Sequence, residues 1–114
     1  MMEAISTPGI PAGLGPNSQG IKADKFLFLS GQTPVNPKTR ELNGETIETQ
    51  AEQVMENIQA ILAHQGLDFT DVVKTTCFLV DMKDYPTFNN VYAKYFIGKP
   101  ARSCFAVKEL PRGS

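Results

Sequence analysis

The spacing of apolar residues changes several times along the chain, and each change marks an element. Residues 1–17 carry Pro8, Gly9, Pro11, Gly13, Gly15 and Pro16 and read as an ordered but irregular lead-in, without a long helix or strand. Ser18 to Lys22 is a short strand. A turn at Ala23-Asp24-Lys25 leads into a second strand, Phe26-Leu27-Phe28-Leu29-Ser30. Gly31 to Gly44 holds Pro34, Pro37 and Gly44 and reads as a loop. From Glu45 the period becomes helical: Ile47, Ala51, Val54, Met55, Ile58, Ile61 and Leu62 form one apolar stripe. Glu45 and Glu48 fall in its first turn, where the helix dipole favours acids, and Gly66 stops it. Val72 to Val80 is β-branched and reads as a strand. Tyr85, Phe88, Val91, Tyr92, Tyr95 and Phe96 then recur at helical spacing, with Pro86 in the first turn and Gly98 and Pro100 closing the helix. Arg102 to Val107 is the last strand.

The order is ββαβαβ, an α+β or α/β domain with no internal repeat. Val72–Val80 is apolar on both faces, and so is Phe26–Leu29. Two amphipathic helices cover one face of such a sheet. Nothing in the chain is left for the other, which predicts a homo-oligomer.

Composition narrows the function. At 114 residues the chain is one domain, 1–114, and buries only about 65% of its unfolded surface, so assembly is a natural source of extra stability. A net charge of -1 argues against a dedicated nucleic-acid binder. No apolar run reaches the roughly 18 residues of a membrane helix. An acid at Glu3, with no apolar block after it, does not read as a signal peptide. Cys77 and Cys104 form no CxxC pair and read as reduced, buried thiols. A cytoplasmic location is the expectation.

Candidate chemistry is sparse. His64 is the one histidine, and at a helix end it reads as a cation facing the last carbonyls rather than half of a catalytic dyad. No metal-ligand spacing, GxGxxG or P-loop occurs, and Gly13-Leu14-Gly15 reads as a turn. Within Lys99-Pro100-Ala101-Arg102-Ser103-Cys104, strand alternation puts Arg102, Cys104 and Ala106 on one face. A guanidinium beside a thiol and a methyl needs an anion. Two readings stand: a structural ion pair with an Asp or Glu, or a bidentate site for a substrate carboxylate.

The whole chain resembles the RidA family (YjgF/UK114, endoribonuclease L-PSP). Leu14 to Gly20, Leu29 to Pro37, Gln50-Ala51-Glu52-Gln53, Asn57-Ile58, Asp71 to Thr76, Asp81-Met82, Asn89, Tyr92, Phe96 and Pro100-Ala101-Arg102-Ser103-Cys104 carry the resemblance. It implies a chorismate-mutase-like α+β fold with two helices on one face of a sheet, assembled as a homotrimer with clefts between subunits. It also implies a cofactor-free, metal-free hydrolase that deaminates 2-aminoacrylate and 2-iminobutyrate to 2-keto acids and ammonia. Arg102 would then clamp the substrate carboxylate, while backbone groups at Gly31 and Cys104 orient substrate or water.

Ser30 and Asn89 match cleft positions of the family. Their alternatives are a strand-end hydroxyl and a helix-surface amide. Lys74 reads as a solvated strand lysine. Two departures stand out. Asn17 replaces a tyrosine that lines the family's cleft, and in a turn it could serve only its own backbone. The sequence also stops at Leu110-Pro111-Arg112-Gly113-Ser114, before the family's last strand and its water-positioning glutamate. The alternatives to deamination are a non-catalytic trimer binding small carboxylates or protein clients, and a ribonuclease. Against the ribonuclease stand the missing histidine pair and the lack of a basic aromatic surface.

Overall fold

Thr46 starts the first helix. Its backbone is extended and its hydroxyl accepts from the Thr49 amide at 3.2 Å, satisfying one free donor of the first turn. In the computed structural model, which describes residues 2–10 and 15–114, helix α1 runs Ile47–His64 and buries Ala51, Met55, Ile61 and Leu62. Pro11, Gly13 and Leu14, read above as part of the lead-in and of the first family motif, lie outside the described residues. Of the two acids expected in the first turn, Glu48 is there. Glu45 falls before the cap, because Thr46 supplies the side-chain acceptor that begins the helix. At the far end Gly66, at φ 74, donates to the Ala63 carbonyl and Leu67 to the Leu62 carbonyl, which closes the helix. His64 is exposed in the last turn.

The lead-in holds a strand that its composition hides. Met2–Ile5, β1, pairs antiparallel with β2, Gly20–Ala23, with Met2 opposite Ala23 and Ile5 opposite Gly20. The glycines and prolines come after Ile5 and so break nothing. Asp24, at φ 57, turns the chain from β2 into β3, Phe26–Leu29, also antiparallel. The second half is a crossover unit: β4 (Lys74–Leu79), α2 (Tyr85–Tyr95) and β5 (Ala101–Ala106), the two strands parallel. β4 starts later than Val72 because Phe69–Asp71 forms a 3-10 turn capped by Asp68. β5 begins and ends one residue earlier than Arg102–Val107.

The fold class is α+β, with two helices against strands. Among the described residues those strands form two sheets, β1-β2-β3 and β4-β5, which share no backbone ladder. Ala51, Met55 and Leu62 of α1 pack with Phe88, Val91, Tyr92 and Phe96 of α2 and with Leu79 of β4. Leu29, Cys77 and Cys104 close this core from the strands. The opposite faces of the strands lie open. Phe78 and Phe105 meet edge to face at 5.2 Å and are 47% and 45% exposed, and Phe28 is 61% exposed.

One buried polar chain fixes the long loop onto α1. Asn43 Nδ2 donates to Gln53 Oε1 (2.8 Å), Gln53 Nε2 to Asn57 Oδ1 (2.9 Å), and Asn57 Nδ2 to the Thr33 and Val35 carbonyls (3.3 and 2.9 Å). Gln53 and Asn57 are both buried. Gly44, at φ 81, lets the loop pass where a Cβ would collide with the Thr49 side chain. Asn57→Ala strips partners from Gln53 and from two carbonyls, so urea unfolding should show a loss of about 2 kcal/mol. A loss below about 0.5 kcal/mol would mean that the chain of amides does not hold the loop.

Candidate active site

The parallel register decides what surrounds Arg102. Thr75 lies opposite Arg102, Cys77 opposite Cys104 and Leu79 opposite Ala106, so these side chains share the face toward the helices. Thr76, Phe78, Ser103 and Phe105 take the other. Lys74 is on that outer side too, donating to Ser103 Oγ at 3.1 Å.

Helix α2 presents Tyr85, Asn89 and Tyr92 to Arg102. These residues recur at i, i+4 and i+7, one stripe of the helix. Arg102 Nη1 donates to Asn89 Oδ1 and Nη2 to the Tyr85 hydroxyl, both at 2.8 Å. The guanidinium carbon lies 4.7 Å from the Tyr92 ring centre and 5.4 Å from that of Tyr85. The Tyr92 hydroxyl is held in turn by Thr75 Oγ1 at 2.7 Å.

The charge has no counter-ion among the described residues. Among the described residues the one ion pair joins Lys94 to Glu52, at the surface between the helices. The structural ion pair considered for Arg102 is therefore not formed. Neutral groups cannot supply its anion either: burial pushes the Tyr92 phenol above its ordinary range, so it stays protonated. A guanidinium carries five N–H donors, and Asn89 and Tyr85 take two. Because Asn89 turns its oxygen to the cation, its Nδ2 hydrogens are left over, as is the Tyr85 hydroxyl hydrogen. What remains around Arg102 includes unspent N–H and O–H donors and, among the described residues, no carboxylate bonded to it, and that environment suits an anion. Arg102 borders an open hollow of about 460 Å³ with Tyr92, Ala93, Phe96, Ile97, Lys99 and Pro100.

The candidate residues fall into two groups. Arg102, Cys104 and Asn89 come together on β5 and α2. Asn17, Ser30 and Gly31 gather near the end of β3, elsewhere in the chain. Ser30 donates its hydroxyl hydrogen to the Ser18 carbonyl (2.6 Å) and its amide to Gln19 (2.8 Å). Asn17 is exposed and its amide closes a tight turn on the Gly15 carbonyl at 2.9 Å. Gly31 is exposed, and a Cβ there would meet nothing within 4 Å. It borders a groove of about 400 Å³ between α1, β4 and the Leu110–Ser114 end, which Arg102 does not line. Tyr85, Tyr92 and Thr75 were missed by sequence reasoning. The tyrosines also satisfy the apolar stripe of the helix, and their only signal as site residues is their spacing with Asn89.

Residues 8–114 match the family model described as Endoribonuclease L-PSP. The chain belongs to the endoribonuclease L-PSP (RidA) family. Its relatives carry several names. A RutC family protein of Pyrococcus horikoshii is 48% identical over 113 residues, covering 98% of this chain and 90% of the relative. The 2-iminobutanoate/2-iminopropanoate deaminase of Mus musculus is 42% identical over 113 residues, covering 98% of this chain and 84% of that protein. Among solved structures, E. coli TdcF with bound serine superposes with a TM-score of 0.90 at 36% identity, covering 97% of this chain and 90% of that one.

The Cys77 thiol is poorly suited to attack. Burial, and then the neighbouring Cys104, push the Cys77 thiol up. In a Cys104→Ser variant, Cys77 should react several-fold more slowly with a disulfide reagent at pH 8 folded than unfolded in urea. The gap narrows as pH rises and the folded thiol ionises. Equal rates at pH 8 would show that the site does not shield the thiol.

Proposed function

We propose that this chain hydrolyses small 2-imino acids, 2-aminoacrylate and 2-iminobutyrate, to 2-keto acids and ammonia, with Arg102 holding the carboxylate. One observation carries the reading: a half-buried guanidinium fixed by two neutral acceptors and, among the described residues, paired with no carboxylate. In this reading the enamine first tautomerises to the imine. Water then adds across C=N, forming a C–O bond at C2 while the nitrogen gains protons. The C–N bond breaks, ammonia leaves and C2 becomes a carbonyl. C2 is electrophilic already, so orienting the substrate and one water supplies most of what the reaction needs. The name of the mouse relative supports this substrate class, and the serine bound to TdcF carries the same α-carboxylate.

By family resemblance, backbone groups at Gly31 and Cys104 orient substrate or water, and Ser30 and Asn17 line the cleft. Gly31 and Arg102 line no common cavity, although Tyr92 and Phe96 border both hollows, and the reading assigns the Gly31 side to a neighbouring copy. The assembly is a homotrimer that covers the exposed Phe78–Phe105 face. A second reading, carboxylate binding without turnover, is favoured by the absence of any acid among the described residues lining the Arg102 hollow.

With imine generated in situ by a dehydratase, Arg102→Ala should lower kcat/KM at least about 100-fold while the melting temperature stays within a few degrees. Equal rates would reject the mechanism. Binding of 2-ketobutyrate by calorimetry, with no turnover by the wild type, would establish the second reading. Phe105→Glu should shift the sedimenting species from trimer to monomer, because a carboxylate cannot be buried unpaired against an aromatic face. A trimer surviving that change would place the subunit contact elsewhere.

A further inference from the structure

Arg102 is held by more than its strand. A guanidinium bonded at one nitrogen pivots about that bond, and its plane then wanders. Here Asn89 takes Nη1 and the Tyr85 hydroxyl takes Nη2, both at 2.8 Å, so the fork is fixed at two points. The two acceptors sit one turn apart on α2, and the residue between them on that face of the helix, Phe88, is buried in the core. The core contact of Phe88 thus ties the anchoring face of α2 to the rest of the fold. Both acceptors are also neutral. A carboxylate at either place would fix the plane equally well and would neutralise the charge.

We propose that Tyr85 is a positioning residue that acts through Arg102, its hydroxyl setting the guanidinium plane in which the substrate carboxylate is received. The inference rests on the reading of Arg102 as the carboxylate anchor. Two functions of Tyr85 are separable. Its ring is half-buried and lies beside the cation at 5.4 Å, whereas among the described residues its oxygen makes only the bond to Nη2. Tyr85→Phe keeps the ring and removes the oxygen, so folding is preserved and the orienting bond is lost.

The test pairs steady-state kinetics with nitrogen-15 NMR of the Arg102 side chain, in wild type and Y85F. The expected result is a KM for the imine raised on the order of tenfold, with kcat within about twofold. In the same variant the two Nη resonances of Arg102, separate in the wild type, should merge as the guanidinium rotates freely. Unchanged KM overturns the proposal, whatever the NMR shows, because the plane then does not matter to the substrate. A raised KM with Nη resonances still separate overturns it too, because Tyr85 then acts by another route. Failure of the underlying reading looks different: the wild type itself neither turns over imine nor shifts its Arg102 resonances when 2-ketobutyrate is added.

Discussion

A positive charge held half out of water, with no counter-ion among the described residues, is the constraint around which this domain is organised. Leaving such a charge unpaired is costly, and proteins do so where a ligand supplies the missing partner. The means are local and specific. Parallel pairing of β4 and β5 puts Arg102 opposite Thr75. The crossover helix then lays Tyr85, Asn89 and Tyr92 over it. Each contact orients the guanidinium and none cancels its charge. Thr75 extends the same logic, occupying the Tyr92 hydroxyl so that the ring stays against the cation.

The rest of the fold serves this arrangement at a distance. The amide chain from Asn43 through Gln53 and Asn57 pins the long loop that follows Gly31. The apolar core between α1 and α2 keeps the cradle helix from shifting against the strands. The outer faces of β3, β4 and β5 keep Phe26, Phe28, Phe78 and Phe105 in contact with water, apolar surface that the proposed assembly would cover. In the proposed assembly this surface and the separation of Gly31 from Arg102 have a single explanation. In that proposal each chain carries the two halves of a cleft, and neighbours bring unlike halves together.

What could be read from the residues follows the range of the interactions involved. The two helices were legible because their signals are local: an apolar stripe, a glycine at the C-terminus of α1, a proline in the first turn of α2. The alternation of Arg102 and Cys104 was legible for the same reason. Strand β1 was not, because Met2–Ile5 is defined by its pairing with β2 across the proline- and glycine-rich stretch. The apolar period marks α1 only to within a residue or two of Glu45, and the Thr46 hydroxyl decides the start. Tyr85 escaped because an amphipathic ring satisfies a core pattern and hides the polar tip that matters here. The separation of the two sheets depends on long-range pairing and leaves no mark in the local pattern.

The most direct measurement of the central claim is a crystal structure of the assembled protein soaked with 2-ketobutyrate. The account predicts the ligand's carboxylate on the Arg102 fork, with Tyr85 and Asn89 still bonded behind it. A side-chain acid of an adjoining protomer seated on that fork, or a ligand bound elsewhere with Arg102 turned to solvent, would contradict it.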